Sequence, residues 1–83
     1  MEPNKTKIDF SDRPITIDGT EVKSLEMREP TVGDQLAVDK LSSAAEKEVA
    51  MFANLCEIAP ATLHGLSIKQ YGKLQDAYAD FTS

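Results

Sequence analysis

Eighty-three residues, with 9 Lys+Arg against 14 Asp+Glu, carry a formal net charge of −5. The acidic balance runs against nucleic-acid binding by phosphate neutralisation, and 41% apolar residues is too many for a disordered chain. No apolar run approaches the ~20 residues of a bilayer span, and one cysteine cannot close an internal disulfide.

A chain this short is expected to form a single domain over 1–83, with an extended part at 1–30, a helical part at 31–83, and frayed ends at Met1–Lys5 and Thr82–Ser83. No charged-then-apolar leader opens it, so a cytoplasmic location is expected. Such a domain buries only ~60% of its unfolded surface, so a partner or a second copy would help stabilise it.

Ile8 and Phe10 alternate with polar neighbours, as do Ile15 and Ile17 after Pro14, which predicts strands. Asp18-Gly19 predicts a two-residue hairpin turn facing Ile17 with Thr20 and Ile15 with Val22. The step from Val22 to Leu25 breaks the alternation at Lys23-Ser24, which calls for a bulge or a strand end. Pro30 ends the extended part, because it has no N–H for a ladder.

From Thr31 the period turns helical. Thr31 and Asp34 have capping-box spacing and open a segment near 31–41 with Leu36 and Leu41 as its apolar residues. Ser43-Ala44-Ala45-Glu46 is a full capping-box pattern and starts a helix over 43–57, stopped by Pro60. A short turn over Ala61–His64 closes at Gly65. Ser67-Ile68-Lys69-Gln70 opens the last helix, 67–80, with Ile68, Tyr71, Leu74, Tyr78 and Phe81 on one face. The fold class is therefore α+β: an N-terminal β-hairpin followed by about three short helices.

No catalytic, cofactor-binding or metal-ligating set emerges. Cys56 and His64 are single copies, far short of a zinc site, and Cys56 lies on an apolar stripe where a thiol behaves as a small hydrophobe. The four glycines are scattered rather than clustered into a phosphate cradle; Gly72 falls inside a helix, where it would allow close helix approach. Asp9, Asp12 and Asp18 lack calcium-loop spacing. The expectation is a non-enzyme.

The helix 43–57 holds more apolar surface than a surface helix needs. Ala45, Val49, Phe52, Ala53 and Cys56 form one stripe, and Ala44, Met51, Leu55 and Ile58 an adjoining one. Together they span roughly 220°, broken by Glu48, against about 100–140° for a surface helix. Two readings follow: a central helix sandwiched between hairpin and last helix, or an exposed strip centred on Met51, Leu55 and Ile58 for a protein partner or a second copy. The expected core is Ile15, Ile17, Val22, Leu25, Val49, Phe52, Ala53, Cys56, Leu74 and Tyr78.

The order of these pieces resembles a known family. Pro14-Ile15-Thr16-Ile17-Asp18-Gly19 is followed by Val22 and Leu25-Glu26-Met27-Arg28-Glu29-Pro30. Then come Ala45-Glu46-Lys47-Glu48, Ala53-Asn54-Leu55-Cys56, Leu63-x-x-Leu66 and Tyr71-x-x-Leu74-Gln75. The pattern, over roughly 8 to 81, is similar to the Mu-like family of phage tail assembly proteins. Its most particular part is the Asp18-Gly19 hairpin followed by Leu25-x-x-Arg28-Glu29-Pro30. Members often carry Asp before the tyrosine matched to Tyr71, where this chain has Gln70.

The resemblance implies a non-catalytic chaperone of phages and prophages. It would act in the cytoplasm of the bacterial host, bind the helix-rich tape measure protein until tail tube protein encloses it, and be absent from the mature virion. Tail tube protein is a second partner and a homo-oligomer a further expectation; no cofactor, nucleic acid or membrane is implied. Two alternatives come from other classes. An acyl-carrier-type protein shares the size and acidity, but Gly65-Leu66-Ser67-Ile68 lacks the Asp before the serine. An acidic DNA mimic fits poorly with Lys5, Lys7, Arg13, Lys23 and Arg28 scattered among the acids.

Overall fold

A computed structural model describes residues 4–83, so Met1–Pro3 of the expected frayed end lie outside the described residues. The order is β1 (Lys5–Asp9), β2 (Ile15–Ile17), β3 (Thr20–Val22), β4 (Ser24–Arg28), α1 (Val32–Val38), α2 (Ala44–Cys56), α3 (Pro60–His64) and α4 (Ile68–Thr82). Strands give way to helices across Glu29–Thr31, as the change of period predicts.

The four strands make one kinked ribbon. β2 pairs antiparallel with β3, with Ile15 opposite Val22 and Ile17 opposite Thr20. Asp18 (φ 51) and Gly19 (φ 80) both lie at positive φ, as a two-residue turn matched to strand twist requires. β1 pairs antiparallel with β4, from Lys5 opposite Arg28 to Asp9 opposite Ser24. One arm carries Phe10–Pro14 between its strands where the other carries Lys23 alone. That mismatch is the break seen at Lys23-Ser24: the chain leaves one partner strand and joins another. Asp9 stabilises the bend by accepting a hydrogen bond from the Ser11 N–H (2.8 Å).

Caps set the helix starts. Thr31 and Asp34 form a complete reciprocal box, as do Ser67 and Gln70. At Ser43 only half the expected box is present: its hydroxyl accepts from the Glu46 N–H. α2 ends at Cys56, before Pro60 acts, because Glu57 takes the left-handed conformation (φ 57, ψ 45). A Cβ on Gly72 would meet open space, so Gly72 marks no close helix approach.

The core holds Ile8, Phe10, Ile15, Leu25, Met27, Val38, Met51, Phe52, Ala53, Leu55, Cys56, Leu63, Leu74 and Ala77. Six of the expected core residues are buried; Ile17, Val22, Val49 and Tyr78 pack against that cluster half-buried. α2 lies against β4, α1 and α3, while α4 packs on β1. Phe52 of α2 meets Tyr71 and Tyr78 of α4, with ring centroids 5.4 and 5.3 Å apart. Glu48, the break in the apolar arc, accepts hydrogen bonds from the Tyr71 hydroxyl (2.8 Å) and the Gln75 amide (3.1 Å). Burial and the Glu48 carboxylate push the Tyr71 hydroxyl pKa upward.

Candidate client-binding surface

One of the two readings of the sequence is an exposed protein-binding strip at Met51, Leu55 and Ile58. In the structure these residues do not form an open surface. Met51 is 4% exposed and Leu55 1% exposed, both inside the core, and Ile58 is half-buried against it. With β4, α1 and α3 packed on α2, and Phe52 reaching the α4 rings, Met51 and Leu55 are interior, while Ala44 of the same stripe is exposed.

What remains open is the N-terminal part of the other stripe, at Ala45 and Val49. Ala45, Glu46, Val49 and Ala50 of α2 line one side of a groove, Pro60 and His64 of α3 the other, and Leu41 completes the lining. Its volume is about 440 Å³, and its lining is apolar apart from Glu46 and His64. Three features position it: the Ser43 cap starts α2 one residue before the wall, the left-handed Glu57 turns the chain, and Pro60 opens α3 at its first position. Ala45 and Val49 belong to the first apolar stripe of the sequence; Ala50 and Pro60 carry no periodic signal, and Leu41, expected in the first helix, lies beyond its end at Val38.

α1 adds a second apolar exposure. Its buried residues are Asp34 and Val38, while Val32 (77% exposed) and Leu36 (66% exposed) face solvent. Leu36, expected on the apolar face, is thus on the opposite side. The cause is ionic. Arg28, at the end of β4, grips Asp34 with two hydrogen bonds of 2.7 and 2.8 Å, and Asp34 also accepts from the Thr31 N–H (2.9 Å) and hydroxyl (3.0 Å). The guanidinium and these bonds hold the Asp34 carboxyl well below the usual carboxylate range. α1 must turn Asp34 inward, and two residues along a helix is about half a turn, so Val32 and Leu36 turn out. Ile68, also expected on an apolar face, is 88% exposed at the start of α4.

The remaining motif residues act structurally. Asp18 and Gly19 make the turn. The Glu29 N–H donates to the Asn4 carbonyl (2.8 Å). Pro30 separates strand from helix. Gln70 serves twice: its oxygen accepts from the Ser67 N–H (2.9 Å) and its amide donates to the Arg13 carbonyl (3.0 Å). An aspartate there could supply the first bond but not the second. Cys56 is buried, and desolvation pushes its thiol up to about 11. Among the described residues, no three His, Cys, Asp or Glu side chains gather where they could hold a metal ion.

The model of a family described as phage tail assembly chaperone proteins, E, or 41 or 14, matches residues 8–83. The chain belongs to that family. Neither a curated protein nor a solved structure matches it. As a tail assembly chaperone it acts in the host cell during phage assembly, which points to phage structural proteins as partners. Among the described residues, no helix of this chaperone is long and apolar enough to cross a membrane. The Ser67 hydroxyl, the candidate attachment point of the acyl-carrier alternative, is engaged in capping α4.

Proposed function

We propose that this chaperone binds the tape measure protein non-catalytically, covering an apolar helical segment of it in the groove between α2 and α3. The observation that carries this reading is the solvent-open apolar lining from Leu41, Ala45, Val49, Ala50 and Pro60. A helix laid in such a groove buries its apolar stripe, the mode by which amphipathic helices are commonly recognised. The net charge of −5 keeps the loaded complex soluble. The chaperone leaves before the tail is complete, when tail tube protein takes over the covered surface.

Ala45 is exposed, so Ala45→Glu leaves the fold intact while placing a charge in the groove. Co-expressed with the tape measure protein, the variant is expected to leave more of it insoluble than the wild type does. Lys69→Glu, on an exposed position of α4, is the control. Equal solubilisation by wild type and Ala45→Glu would move the client face elsewhere.

A further inference from the structure

Among the described residues, no strand pairs with the outer edge of β1, and the chemistry of that edge specifies an occupant. The Phe10 N–H donates to the Lys23 carbonyl and the Glu29 N–H to the Asn4 carbonyl. These bonds fix the phase of the β1–β4 ladder: Thr6 and Ile8 direct their backbone groups at β4, while Lys5, Lys7 and Asp9 direct theirs away from it. Of these outward groups, the Asp9 carbonyl is taken by Lys73 Nζ (2.8 Å).

A groove of about 260 Å³ lies along this edge, lined by Thr6–Asp9 of β1 and by Lys73, Asp76, Ala77 and Asp80 of α4. Lys73 is engaged by Asp12 (2.6 Å), and Lys7 lies near the Asp9 carboxylate. Asp76 and Asp80 are exposed and belong to neither of the ion pairs among the described residues. Four residues apart on a helix, they are separated by ~6 Å along its axis. Alternate residues of a strand are separated by ~6.6 Å.

We propose that β1 and α4 together bind an extended, basic segment of a protein partner, added as a strand to the free edge of β1. Main-chain bonds to Lys5 and Lys7 hold the segment, and basic side chains at alternate positions meet Asp76 and Asp80. A second copy of this chain fits less well, because β1 pairing across a two-fold axis would bring Asp76 and Asp80 toward their own copies. This site is separate from the helix groove, and neither reading depends on the other.

The test uses an eight-residue peptide alternating lysine with threonine, and its glutamate counterpart, titrated into the 15N-labelled chain. The lysine peptide is expected to shift the amides of Lys5, Lys7 and Asp9, and the glutamate peptide to leave them unmoved. Asp76→Asn with Asp80→Asn should weaken the lysine peptide at least ten-fold, with unchanged circular dichroism. Lys7→Pro should abolish binding, since its N–H faces the open edge and is not needed by the β4 ladder. If that variant unfolds, the aspartate pair decides. Equal binding of both peptides, unweakened binding by the double variant, or a dimer joined through β1 would overturn the proposal.

Discussion

The Asp34 carboxylate accepts four hydrogen bonds, two from the Arg28 guanidinium and two from Thr31, and so joins the last strand to the first helix. Charge-assisted, two-pronged contacts of this kind are the strong ones. Asp34→Asn sets an amide against the guanidinium and should cost about 2–3 kcal/mol at neutral pH. Because the folded carboxyl titrates below its unfolded value of about 4, its contribution is fully present above that pH. It is lost as pH falls toward the folded value. Urea unfolding at pH 7 and pH 2.5 should therefore show the gap between wild type and variant narrowing at the lower pH; a constant gap would remove the ion pair as its source. Glu57 presents the opposite case, a side chain in left-handed backbone at the end of α2. Glu57→Gly should raise stability by about 1 kcal/mol, seen as a higher melting temperature. An unchanged or lower value would mean the Glu57 side chain offsets the backbone cost.

At the scale of elements, local chemistry was legible and placement was not. The β2–β3 register follows from Asp18-Gly19 because a two-residue turn leaves one pairing. Pairing of β1 with β4 joins residues about twenty positions apart, and no turn signal specifies it. α1 shows why period alone misleads: its apolar Leu36 faces solvent since the partner of Arg28 must face inward. On α2 the helical period shows both stripes but not what covers them. The sector with Met51 and Leu55 is enclosed, and the sector with Ala45 and Val49 opens onto the groove, because α3 folds back beside α2 without closing over it. Leu55→Asp accordingly tests the interior assignment. Burying an unpaired charge and losing a packed leucine should cost at least about 4 kcal/mol, a large part of a small domain's stability. Loss of the cooperative melt is the expected result. A folded Leu55→Asp protein with weakened association would restore the strip centred on Met51, Leu55 and Ile58 as a binding face.

The whole molecule divides its labour between a β-ribbon half and a helical half that meet in one hydrophobic cluster. Phe10 illustrates the join: it is fully buried, and Lys73 of α4 stands over its ring at 5.5 Å while also holding the ribbon's bend through Asp9 and Asp12. With the ribbon and α4 locked together, the apolar surface not used in folding is displaced to α1 and to the α2–α3 groove. An apolar groove implies binding that depends little on ionic strength, unlike a steered charge–charge complex. Docking of the proposed helical client in this groove is tested by backbone amide mapping of the 15N-labelled chaperone with an amphipathic helical fragment of the tape measure protein, at low and high salt. A client seated there shifts the amides of Leu41, Ala45, Glu46, Val49, Ala50 and His64, and the shifts persist at high salt. Shifts confined to the β-ribbon or the outer face of α4, or shifts that vanish with added salt, would contradict it.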